Sequence, residues 1–129
     1  MEFLYCFANA SLTQRILTYL LSKLRSHIDC VTVIFFNDRW VVHLKLKASL
    51  DLEPYNDCWA VLSENGLPYC PPSAITLALK DLSAGCAPNQ AMSRHHVAIV
   101  SHGAPNPAAV SCFQTKFVAG LGYCPQSLV

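Results

Sequence analysis

The sequence predicts an α+β domain with a mainly antiparallel sheet, and three observations predict it. An amphipathic helical pattern near the start leads into two strand-like runs joined by turn residues, short helical patterns fill the middle, and two more apolar runs flank a Gly/Pro turn near the end. The 129 residues suit one domain spanning 1–129, and 53% hydrophobic against 13% charged residues is too apolar for disorder.

The first element is a helix. Ser11 followed by Gln14 reads as a capping box, and Leu12, Ile16, Leu17, Leu20, Leu21 and Leu24 recur at helical spacing while Arg15, Ser22, Lys23 and Arg25 fall mostly opposite. CVTVIFF, residues 30–36, is β-branched and aromatic with no polar side, as in a strand covered on both faces. Asn37 and Asp38 are turn residues. Beyond them Trp40, Val42, Leu44 and Leu46 alternate with Val41, His43, Lys45 and Lys47, so helix and β-hairpin together occupy 11–47.

ASLDLEPYND reads as a loop that delivers the chain to Cys58. CWAVLSEN then holds about two helical turns before Gly66, and Pro71-Pro72-Ser73 introduces a second short helix with Ile75, Ala78, Leu79 and Leu82 on one face. This helical segment covers 58–84. AGCAPNQAMSR is a loop by composition, HHVAIVS is a short buried strand, residues 103–107 force a turn, and AAVSCFQTKFVAG returns as the partner strand of a C-terminal hairpin, 95–119. The expected architecture is thus two β-hairpins packed by an N-terminal amphipathic helix and two short central helices.

Several function classes are disfavoured. The formal net charge is +1 and the nine Lys and Arg are scattered, so nucleic acid is not an expected partner. No apolar run is long enough to span a bilayer, and none is expected to contact a membrane. Seven cysteines without a CxxC pair resemble neither a secreted disulfide framework nor a zinc knuckle, which points to a reducing, cytoplasmic setting. Cys70, Cys86, His95 or His96, and Cys112 have the right donor chemistry for zinc but lack its close-paired spacing, so no metal and no cofactor are expected.

The residues with the most chemical promise are Cys58 and His96. Cys58 follows Asn56 and Asp57, either of which could cap the helix, and a thiol at a helix N-terminus gains thiolate character from the unpaired backbone N–H groups there. His95 and His96 open an apolar strand, and of the two His96 shares a face with Ala98 and Val100, so it is the better general base. The catalytic reading requires that sulfur and ring meet in an accessible groove. Cysteine is also among the residue types most often buried, so a core role for Cys58 competes with the nucleophile.

The order of Cys58-Trp59 at a helix start, a helical segment, and a histidine opening a short apolar strand resembles, over residues 55–113, the compact papain-like cysteine proteases at the front of RNA-virus polyproteins. The resemblance implies a leader-type thiol protease with Cys58 as nucleophile and His96 as base, acting on protein or peptide, including its own polyprotein. Asn56 would stand where papain itself keeps a glutamine, and Asn106 is the nearest side chain to orient the imidazole. The other expectation is a non-catalytic interaction or oligomerisation module, favoured by high apolar content and few charges, with a protein partner or a second copy as ligand.

Overall fold

The computed structural model describes residues 1–129. A five-stranded antiparallel sheet of order β4-β1-β3-β2-β5 carries helices on both faces, which bears out the α+β class. The strands are β1 (Glu2–Phe7), β2 (Ile28–Phe36), β3 (Arg39–Leu46), β4 (Leu67–Pro68) and β5 (Ala98–Gly103). The helices are α1 (Ala10–Lys23), α2 (Leu52–Asn65), α3 (Ser73–Ser83), α4 (Pro88–His95) and α5 (Pro107–Leu121).

The hairpin β2–β3 forms the middle of the sheet, in register from Val31↔Leu44 to Phe36↔Arg39. Asn37 and Asp38 both take positive φ, 51° and 59°. That is the geometry of a tight two-residue hairpin turn whose twist matches the strands, and Asn and Asp tolerate it better than most residues. β1 pairs with β3, β5 pairs with β2, and the two-residue β4 covers Tyr5 and Cys6 of β1.

Alternation along each strand sends side chains into two separate cores. Phe3, Tyr5, Phe7, Val31, Val33, Phe35, Trp40, Val42, Leu44 and Leu46 face the larger one, closed by α1, α2 and α5. Cys6, Ile34, Val41 and Ile99 face the smaller one, closed by α3 and α4. Ile16, Leu17 and Leu20 of α1 are fully buried, each a contribution of about 1.5–3 kcal/mol. Phe113 and Phe117 of α5 pack on Phe35, tilted and edge-on, at centroid distances of 5.5 and 5.4 Å, and Phe113 meets Trp40 edge-on at 5.6 Å.

Several expectations change. The first helix is capped by Asn9, whose side chain accepts from the Leu12 N–H at 2.9 Å, while Ser11 donates instead to the Val129 carbonyl, so the Ser11–Gln14 box is not formed. Residues 2–7 make a strand. α2 begins at Leu52, because Pro54 is tolerated inside a first turn whose N–H groups lack helical partners anyway.

The largest correction lies at the C-terminal end. The segment expected to return as the second strand of a hairpin over 95–119 is the helix α5, so the sheet has one hairpin and three strands brought in from elsewhere. Asn106 caps this helix by accepting from the Ala109 N–H at 3.3 Å, Pro107 occupies its first turn, and Gly122 ends it at φ 81°. Val110, Phe113 and Phe117 then fall on one face, toward the larger core. The loop expected before His95 is largely α4.

Candidate functional site

Cys58 lies seven residues into α2, whose cap is Asp51, so the unpaired N–H groups of the first turn are not beside it. Its side chain is 0% exposed, enclosed in the larger core with Leu62. Burial disfavours the thiolate and pushes the Cys58 thiol up to about 11, the opposite of an activated nucleophile. Trp59, the next residue, points outward.

His96 is on the other side of the sheet. It ends α4 in the left-handed conformation, φ 56° and ψ 45°, exposed, while the strand itself begins two residues later. Neighbouring Ala91 and Val97 belong to the smaller core, whereas Cys58 belongs to the larger. The structure therefore does not join Cys58 and His96 across a groove. His95 ties α4 to α3 through Asp81 at 2.6 Å, with Arg94 on the same carboxylate oxygen at 3.0 Å. Asn56 is exposed on α2 and Asn106 serves as a helix cap, so neither supports a catalytic imidazole.

A different thiol and a different imidazole do meet. Cys30 Sγ lies 3.5 Å from His102 Nδ1 and 3.8 Å from Nε2, and Thr32 Oγ1 lies 2.8 Å from the same Nδ1. The three side chains line a small groove of about 160 Å³ between the sheet and α3, together with His43, Lys45 and Asp29. His43 joins this groove to a second one that continues under α3 toward Glu2.

The electrostatics of the groove are set by burial and pairing. His43 Nε2 lies 3.1 Å from Glu2 Oε1, and although that carboxylate favours the imidazolium, desolvation dominates and holds the His43 pKa below its ordinary value. Lys45 Nζ and Asp29 Oδ2 sit 4.0 Å apart at the rim, both well exposed. The seven cysteines are all free, and no group of three Cys, His, Asp or Glu side chains is arranged to hold a metal ion.

One strand irregularity borders this site and a second builds it. In β2 the pairing shifts between Ile28↔Leu46 and Cys30↔Lys45, so Ile28 reaches the larger core while Cys30 and Thr32 stay on the α3 side. In β5 the pairing shifts from Ile34↔Ile99 to Val33↔Ser101, which adds Val100 and brings His102 opposite Thr32 on the same side. Such bulges re-aim side chains in regular sheets. Sequence reasoning missed the pair because its members are 72 positions apart. The one available signal was His102 at the end of the strand begun by HHVAIVS, and its face could not be read without the bulge.

The outer surface carries a second feature. Leu52 and Trp59 of α2 are 75% and 53% exposed, and Leu67 of the edge strand β4 is 63% exposed. α2 lies over the β1 side of the sheet, with Tyr55 stacked on Phe3 at 5.8 Å and Ser63 bonded to Tyr5 at 3.2 Å, so the ridge and β4 flank the same sheet edge. Positions 52, 56, 59 and 63 share one helical stripe, which is uncharged, whereas Glu53, Asp57 and Glu64 share another.

No helix is long and apolar enough to cross a membrane. Comparison with models of protein families, with curated proteins and with solved structures finds no match.

Proposed function

We propose that the chain is a non-catalytic interaction module that pairs with a second copy of itself through the ridge of Leu52 and Trp59. The observation that carries this reading is a tryptophan more than half exposed on an uncharged helical stripe. Tryptophan is the residue type that most often anchors interfaces, and its loss of solvent contact there is worth more than that of scattered surface apolar residues.

A second copy is the favoured occupant for two reasons. A net charge of +1 gives little repulsion between copies. The acids of α2 face away from the stripe, and Glu53 and Asp57 instead share a groove with Lys23 of α1, so two ridges can meet about a two-fold axis without opposing like charges. The thiol-peptidase reading has less support, since the sulfur of Cys58 is enclosed and its thiol resists ionisation.

Sedimentation equilibrium over a concentration series tests the proposal. The native chain should shift from monomer to dimer as concentration rises from nanomolar to high micromolar, and Trp59→Ser, a surface change, should abolish the shift with an unaltered circular dichroism spectrum. A native chain monomeric throughout, or a variant that dimerises equally well, overturns it.

A further inference from the structure

We infer that Cys30 and His102 form a thiol site that exchanges with low-molecular-weight disulfides, with Cys30 as the attacking sulfur and His102 as its base. This inference is independent of self-association, since it concerns the groove under α3 rather than the outer face of α2. Cys30 is partly exposed, unlike Cys58, and it is the cysteine whose sulfur has an imidazole within contact distance. Thr32 is buried at 2% exposure and holds the ring through its 2.8 Å contact with Nδ1. His102 is itself exposed, and this contact holds its ring beside the sulfur. Cys30 and Thr32 share a side by ordinary alternation in β2, and the bulge in β5 brings His102 to that side.

The chemistry balances within the site and its substrate. With Nδ1–H donated to Thr32 Oγ1, His102 Nε2, 3.8 Å from the sulfur, accepts the Cys30 proton as Sγ attacks one sulfur of a disulfide R–S–S–R. The new Cys30–S–S–R bond forms as the old S–S bond breaks, and the departing RS⁻ takes the proton from His102 to leave as RSH. Cys30 is oxidised and the released sulfur is reduced, so no outside oxidant is required. Charge in this displacement is shared along three sulfurs, and the Lys45 ammonium at the rim of the groove favours the departing thiolate. Acyl transfer, by contrast, needs donors preorganised around a developing oxyanion. The lining holds no side-chain amide or guanidinium for that. A groove of about 160 Å³ admits one small arm of a disulfide while the other projects into solvent.

The test uses the full chain, reduced and under nitrogen, with bis(2-hydroxyethyl) disulfide as the probe and peptide mass mapping as the readout. Cys30 should form the mixed disulfide ahead of Cys70, Cys112 and Cys124, although all three are more exposed. His102→Gln should slow Cys30 roughly tenfold, below what a fully positioned catalytic base supplies, and leave the rate at Cys112 unchanged. His102→Asn serves the same purpose should the first variant fold poorly. Reaction at Cys30 no faster than at Cys70, Cys112 and Cys124 overturns the inference, as does a Cys30 rate indifferent to the loss of His102.

Discussion

The indole of Trp40 donates to the main-chain carbonyl of Ser127 at 2.7 Å, joining the central hairpin to the last turn of the chain across 87 positions. Trp40 is fully buried, and so is Leu128 beside that carbonyl. The closing 3-10 turn, Gln126–Leu128, is thus a wall of the larger core. Leu128→Ala should cost about 3 kcal/mol, the usual range for a fully buried leucine that leaves a void, and urea unfolding followed by Trp40 fluorescence measures it. A loss within a few tenths of a kcal/mol would show that the turn is dispensable.

Cys58 should behave as a core residue. Iodoacetamide should leave it unmodified in the native protein, after Cys70, Cys112 and Cys124 have reacted, and label it only once denaturant is added. Cys58→Ser, which puts a hydroxyl among apolar neighbours, should cost about 1–3 kcal/mol in chemical denaturation. Native-state labelling at Cys58 would mean that α2 opens without global unfolding.

The depressed pKa of His43 carries a sign. A histidine whose folded pKa lies below its unfolded value of 6.5 binds fewer protons when folded, so its contribution to stability is complete above that pH and is lost as pH falls through it. Stability should therefore decline between neutral and mildly acidic pH, and His43→Gln should flatten this part of the profile. Asp81, held below the usual carboxylate range first by its bond to His95 and further by Arg94, acts in the same direction. Its contribution is lost only below about pH 4, and Asp81→Asn should remove that lower step alone. Thermal melts across the pH range separate the two.

Gly66 is required by close approach rather than by backbone freedom. Its φ of −154° suits any residue, but a Cβ there would fall 2.5 Å from the Cys6 carbonyl oxygen and 2.6 Å from the Phe7 ring. Because one obstacle is backbone, the neighbour cannot rotate away. Gly66→Ala should cost about 1–3 kcal/mol, the usual penalty for overpacking, read as a drop in denaturation midpoint. Gly85, which meets nothing within 4 Å but holds φ at 96°, is sensitive through strain instead.

What could be read from the sequence followed from how each element is solvated. α1 and the hairpin β2–β3 were legible because one side of the helix and part of β3 are wet, so period and turn residues stand out. β1 was not, because Phe3, Tyr5 and Phe7 enter one core while Leu4 and Cys6 enter the other, leaving a continuous apolar run with no alternation. α5 carried its own markers in Asn106, Pro107 and Gly122 together with the spacing of Val110, Phe113 and Phe117. The aromatic and β-branched content of AAVSCFQTKFVAG suggested a strand, and packing against Phe35 and Trp40 overrode that local preference.

The site was less legible than the fold for a related reason. A helix N-terminus at Cys58 was inferred from Asn56 and Asp57, but the helix already runs through both, so the local cue named an interior position as an end. Cys30 and His102 carry no shared motif. Their meeting depends on the strand order β3-β2-β5 and on the register shift in β5, which are long-range properties of the sheet.

The spacing from Ile99 to His102 is a matter of parity. Val100 is the extra residue of the β5 bulge, so deleting it would restore regular pleating and leave Ser101 opposite Val33 and His102 opposite Thr32, over the thiol. Regular pairing with Val100 retained would instead turn His102 away and set Ser101 over the thiol, so related chains that keep the groove should either hold the bulge or lack that one residue.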